Sequence, residues 1–169
     1  MIEVLGQRNQ LGLDMGFKVI AIDQKRETET PFKDYSEVID HAVNMDTEIG
    51  LNKGQLEDFI VTCFEGGSNY WMDITEESFS HAIRSRKPFS GGVSTAEIIS
   101  DYLWSGGTIE LQDSEDDEER WELSQEMIHK AFNNTDIAEC CESFILGTYD
   151  VWTTDTILQY AVLGEVVYG

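Results

Sequence analysis

Apolar residues recur along the second two thirds of the chain in a helical rhythm. Leu56, Phe59, Ile60, Cys63 and Phe64 fall at i, i+3, i+4, i+7 and i+8, one stripe of a helix. Asn52 stands at its N-cap, where a side-chain oxygen can accept from a first-turn amide that has no partner within the helix. Gly66-Gly67 predicts the stop, because glycine adopts the left-handed conformation of a helix end. A second helix repeats the design: Ser94 or Thr95 as cap, Glu97 in the first turn, Ile98, Ile99, Tyr102 and Leu103 as stripe, and Gly106-Gly107 as stop. Ser124 caps a third, through Met127, Ile128, Ala131 and Phe132. Ile137, Cys140, Cys141, Phe144 and Ile145 mark a fourth. After a connection over Asp150–Thr153, a last helix is expected from Asp155 to Leu163, capped by Thr153 or Thr154. Ile157, Leu158, Ala161 and Val162 face inward, Gly164 ends it, and Glu165–Tyr168 is left as a terminal strand or arm.

Between these helices the rhythm shortens. Tyr70–Ile74, Thr108–Gln112 and Arg120–Leu123 read as short strands, the last two joined by an acidic hairpin tip. Thr75–Ser78 reads as a polar link of one helical turn. In the first fifty residues Phe17–Asp23 predicts a buried strand, Gln24–Lys33 with Pro31 a loop, and Asp34 the cap of a helix over Tyr35–Met45. Gly6–Gly16 shows no pattern. The sum is an α+β chain, a compact single domain over 1–169 of four to six helices packed with a small, mainly antiparallel sheet. Residues 51–169 form its core and 1–50 an N-terminal extension whose order the pattern leaves open. Helix-Gly-Gly-strand occurs twice, which fits either an internal duplication or a recurring turn.

Charge changes this picture more than composition does. Aromatic residues make 11% of the 169, enough for a packed core. The net charge, however, is −22, and it is uneven: beyond Pro88 there are 17 acids against two bases, Arg120 and Lys130. Self-repulsion on this scale destabilises a compact state, so solubility, salt adaptation or a basic partner must favour it. A surface adapted to high salt would be acidic throughout, and the asymmetry points to an acidic binding face. Three cysteines, two of them adjacent, make a poor disulfide framework. With no signal-peptide pattern at the start and no membrane-length apolar run, the expected address is the cytoplasm.

Glu65-Gly-Gly-Ser-Asn-Tyr-Trp71, with Leu158–Gly169, resembles a family of small acidic proteins of phages and other mobile elements that carry an EGGxxYW motif. The resemblance covers about residues 51–169. No activity is established for that family, so it transfers no catalytic role. It implies a mobile-element protein, among which counter-defence functions are common.

Known catalytic patterns are absent. There is no G-x-S-x-G, and Ser90-Gly-Gly-Val-Ser94 has the wrong spacing. Cys63 belongs to an apolar stripe, and the acids Asp136, Glu139 and Glu142 near Cys140 and Cys141 would raise a thiol pKa. His41, His81 and His129 are far apart, without zinc spacing, and read as surface or partly buried helix residues. The run from Asp113 fails as a calcium loop, with Glu118 where glycine is required and Ser124 where a glutamate belongs. No phosphate-binding fingerprint occurs. The chain is therefore read as non-enzymatic, with no cofactor or metal.

Two binding sites remain. In the first, Asp113, Glu115, Asp116, Asp117, Glu118, Glu119 and Glu122, flanked by Trp104 and Trp121, form a docking surface for a basic host protein. The partner would be a nucleic-acid-binding nuclease or CRISPR effector, engaged by a DNA mimic or anti-restriction inhibitor with charge attraction plus aromatic anchors. In the second, Glu65, Ser68, Asn69, Tyr70 and Trp71 hold a nucleotide-like small molecule, with Trp71 stacked on its ring. The competing reading of that turn packs Tyr70 and Trp71 into the core.

Overall fold

The computed structural model describes residues 2–8, 14–21, 26–32, 34–44, 46–85 and 93–169. Among them are seven α-helices and seven strands in two sheets, so the architecture is α+β. The patternless stretch Gly6–Gly16 lies partly outside the described residues, as do Pro88 and most of the Ser90–Ser94 run.

The first sheet has the order β3-β2-β1-β4, formed by β1 (Ile2–Arg8), β2 (Asp14–Ala21), β3 (Arg26–Phe32) and β4 (Ile49–Gly50). It is antiparallel except where β1 meets β4. β3 replaces the predicted loop over Gln24–Lys33. Pairing with β2 holds this segment extended despite Pro31, and β3 is an edge strand, the place in a sheet that tolerates proline. Helix α1 (Tyr35–Asn44) sits on the core shared with the rest of the chain. Tyr35 is fully buried, its hydroxyl donates to the Phe132 carbonyl at 3.1 Å, and its amide donates to Glu142 Oε2. Val4 is also fully buried, and its carbonyl accepts from Gln55 Nε2.

Helix α2 (Lys53–Thr62) begins with the expected cap, reinforced by a reciprocal bond from the Asn52 amide to Gln55 Oε1. Its end differs from the expectation. Cys63–Gly67 continues as a π-helical turn, and among the described residues the glycines with positive φ are Gly106, Gly147 and Gly164, not Gly66 or Gly67. Gly67 is there for space: a Cβ would stand 3.0 Å from the Val151 carbonyl oxygen and 3.2 Å from that of Thr62. The second Gly-Gly is a left-handed stop, with Gly106 at φ 88°. The two pairs thus solve different problems, which weakens the case for duplication.

The second sheet, β5-β6-β7, is antiparallel. Its strands are β5 (Met72–Ile74), β6 (Thr108–Asp113) and β7 (Arg120–Ser124), so the predicted hairpin is β6–β7. Between β5 and β6 run α3 (Glu76–Ser85) and α4 (Thr95–Trp104). Here α3 is a full helix rather than a single turn, with Glu76 and Glu77 in its first turn and Arg84 in its last, each at the favourable pole of the helix dipole. α4 has the Ser94–Glu97 capping box.

Ser124 caps α5 (Gln125–Phe132), and α6 (Ala138–Leu146) follows a short 3-10 turn. α7 (Val151–Val162) starts four residues earlier than predicted, because Asp150 is the N-cap and closes a capping box with Thr153. The seven helices among the described residues exceed the expected four to six because α3 is a full helix.

Candidate functional site

The hairpin tip is built on two of its own carboxylates. Asp113 Oδ1 accepts from the amides of Glu115 and Asp116 at 2.7 and 3.1 Å, and Asp116 Oδ1 accepts from the Glu118 amide. Two backbone bonds, Asp113 N to Glu119 O and Glu119 N to Asp116 O, close the loop. The Ser114 amide donates to the carbonyl of Trp71, fastening the tip to the start of β5. The loop is therefore folded, and Glu115, Asp117, Glu118 and Glu119 stand exposed on it.

Asp113 itself is not part of that display. It is buried, and its second oxygen accepts from the Tyr168 hydroxyl. This bond, with the two amides, holds its carboxyl below the usual carboxylate range. Glu122 is exposed on β7 directly opposite Glu110, an unfavourable like-charge pair relieved by Arg120, whose Nη1 lies 2.7 Å from Glu110 Oε1. Arg120 Nε also reaches the Asp117 carbonyl.

Several acids counted as one excess have structural tasks. Glu97 closes a capping box, Asp101 pairs with Lys53 at 2.8 Å, and Glu142 accepts from the first amide of α1. The predicted aromatic anchors differ as well. Trp104 is 42% exposed at the end of α4. Trp121 is half-buried, edge-on to Trp71 and to Tyr168 at 5.7 and 6.4 Å.

The turn after α2 carries the second predicted site, and there burial decides against a stacking role. Trp71 is 1% exposed and lies flat on Tyr168, with ring centroids 5.0 Å apart and planes 10° apart. The indole face proposed for a ligand is thus already covered by Tyr168. Ser68 is fully buried, whereas Glu65, Asn69 and Tyr70 are exposed. A cavity of about 170 Å³ is lined by Glu65, Asn69, Asp73 and Phe64. Small-molecule sites usually measure about 300–1,000 Å³, so this one falls short.

What organises the region is a buried polar clasp that includes residues the sequence pattern did not single out. Asp155 on α7 accepts from Trp71 Nε1 at 2.7 Å, Tyr70 Oη at 3.0 Å and Gln159 Nε2 at 2.8 Å. Gln159, fully buried, also donates to the Tyr168 carbonyl, and its Oε1 accepts from the amides of Val167 and Tyr168, each at 2.8 Å. The C-terminal arm is thereby tied to α7 and, through the Tyr168 hydroxyl, to Asp113. Burial and the neighbouring Asp155 raise the Tyr70 phenol to about 12. The bond to Asp113, followed by burial, raises that of Tyr168 to about 12. Both remain donors at neutral pH. One signal was present in the sequence: Asp155 and Gln159 interrupt the spacing 155, 158, 159, 162, which places two polar groups on an inward stripe.

The thiols of Cys63 and Cys141 are buried and pushed well above the ordinary range by that burial. Cys140 is raised too, first by burial and then by Glu139 and Asp150. His129, expected as a surface or partly buried helix residue, is buried, and its Nε2 accepts from the Leu51 amide at 3.1 Å. Among the described residues no group of His, Cys, Asp and Glu is placed to hold a metal ion, and no helix is long and apolar enough to cross a membrane.

Fold and site together define an α+β protein with a hydrogen-bonded acidic hairpin clasped to its C-terminal arm. The chain matches no family model, no curated protein and no solved structure.

Proposed function

We propose that the chain is a non-enzymatic acidic binding protein of a phage or mobile element. It acts in the host cytoplasm, docking on the basic nucleic-acid-binding surface of a defence nuclease or CRISPR effector. The observation that carries this reading is the tip itself: Glu115, Asp117, Glu118 and Glu119 are exposed on a loop whose backbone is held by Asp113 and Asp116. Carboxylates on a pre-shaped loop lose little conformational freedom on docking. Duplex DNA presents one negative charge per about 1.7 Å of axis, and a fixed row of carboxylates can meet the same lysines and arginines. The attraction speeds encounter more than it selects a partner.

The test is inhibition of DNA cleavage by basic host nucleases recovered on the immobilised chain. Recovery at low salt, loss at high salt, and relief of inhibition when Glu115, Asp117, Glu118 and Glu119 become Gln or Asn are expected. Binding that is indifferent to salt, or inhibition untouched by that variant, would reject the reading.

A further inference from the structure

Among the described residues, the most exposed aromatic side chain is not at the hairpin. Trp152, in the first turn of α7, is 62% exposed, more than any other tryptophan among the described residues. Its ring centroid lies 6.5 Å from that of Tyr70, which is itself 45% exposed, with the planes at 55°. Val151 beside it is exposed and approaches Gly66, while Val166 and Val167 are exposed on the C-terminal arm. The arm belongs to the same neighbourhood: Val167 is bonded to Gln159, whose amide lies 3.5 Å from the Tyr70 hydroxyl. Exposed apolar clusters of this kind, rimmed by polar groups, mark interaction sites.

The exposed charged residues next along the chain have one sign. Glu65 precedes Gly66, Asp150 precedes Val151 and Glu165 precedes Val166, and all three are exposed. Lys53 and the other described bases belong to other elements. Two tilted aromatic rings, with exposed carboxylates next to patch residues along the chain, suit a guanidinium, which is planar, weakly hydrated, and stacks on aromatic faces while pairing with carboxylates. A second copy of the chain is a poor occupant, since it brings a further −22 charge to the contact. Tyr70 is well prepared for the role. Its hydroxyl is held by Asp155, so the ring is fixed before anything binds.

We propose that the Tyr70–Trp152 patch is a docking face for an arginine-bearing segment of a basic protein, with the guanidinium seated on the two rings and paired with those carboxylates. This rests on the binding reading given above and names its aromatic anchor, in place of Trp104 or Trp121. Trp71 joins the two regions, since its neighbour Tyr70 forms the patch and its carbonyl holds Ser114 of the tip.

The experiment titrates the full chain with nona-arginine and nona-lysine peptides at low salt and follows the tryptophan indole resonances. Nona-arginine is expected to shift the resonance that Trp152→Ala removes, and Trp152→Ala to weaken it roughly three- to thirty-fold with less effect on nona-lysine. Because Trp152 is exposed, the variant should melt with the parent, and a melting curve checks this. Nona-arginine binding that leaves the Trp152 resonance in place, or an affinity unchanged by Trp152→Ala, overturns the docking face while leaving the acidic-binding reading intact. So does sedimentation showing a dimer that Trp152→Ala dissociates, because the face then belongs to a second copy. Failure of both peptides to bind at low salt overturns both readings.

Discussion

The indole N–H of Trp71 donates to the buried carboxylate of Asp155 at 2.7 Å, joining residues 84 positions apart. Asp155 has two further donors, Tyr70 and Gln159, so its carboxyl accepts three hydrogen bonds. Replacing Trp71 by Phe keeps a ring against Tyr168 and removes one donor. Losing a hydrogen bond to a buried carboxyl costs about 1–3 kcal/mol. Urea denaturation of Trp71→Phe should show a loss of that size, with the slope of the transition unchanged.

The paired glycines after α2 allow a controlled comparison. In Gly67→Ala the new methyl would press on two backbone carbonyls, at 3.0 and 3.2 Å, neither of which can swing away. A loss of about 1–3 kcal/mol is expected from such overpacking. In Gly66→Ala the nearest atom is Val151 Cγ1 at 3.5 Å, an ordinary contact. That variant should range from neutral to about 1 kcal/mol more stable, because alanine restricts the unfolded chain. Thermal melts of the two variants side by side make the comparison.

His129 gives the protein a pH dependence near neutrality. Burial lowers its pKa from the ordinary 6.5, and the ring must stay neutral at Nε2 to accept from Leu51. Below 6.5 the unfolded chain takes up a proton that the folded chain refuses, so stability is complete above 6.5 and falls as pH drops through that value. The slope can reach about 1.4 kcal/mol per pH unit. His129→Gln offers an oxygen acceptor without titrating. Chemical denaturation of the two proteins from neutral pH downward should show the slope in the parent and its loss in the variant.

Tyr168 couples the C-terminal arm to the hairpin. In Tyr168→Phe, Asp113 loses the largest influence holding its carboxyl down but keeps the amides of Glu115 and Asp116. Its titration should move up toward the ordinary 3.8 without reaching it. The stability carried by a depressed carboxyl is present above 3.8 and lost as pH falls through the folded value, so this contribution shrinks in the variant. Carboxyl resonances followed through an acid titration measure the shift. The aromatic stack on Trp71 is retained, which separates this bond from the packing.

Helix starts were the most legible feature of the chain. Asn52, Ser94 and Ser124 are caps as expected, since a cap and the amide it satisfies lie within three residues of one another. The start of α7 was misplaced because Asp150, Thr153 and Thr154 can all cap, and a local pattern does not choose among them. The Gly66-Gly67 stop was misread for a related reason. A left-handed glycine and a glycine required by a close carbonyl look alike in sequence, and the carbonyl belongs to Val151. In the candidate site the exposed acids of the tip were legible, while Trp71, Trp121 and Trp152 could not be ranked by burial.

The order of residues thus settles what acts over short range: apolar stripes, caps, the β6–β7 hairpin and the concentration of charge beyond Pro88. Folding settles what depends on partners distant along the chain. It buries Trp71 and leaves Trp152 in water, it gathers Asp155 and Gln159 with Tyr70, Trp71 and the C-terminal arm into a clasp, and it takes Asp113 out of the acidic display. The physical reason is that a side chain's exposure and hydrogen-bond partners are set by the elements packed against it, and those meet only in three dimensions.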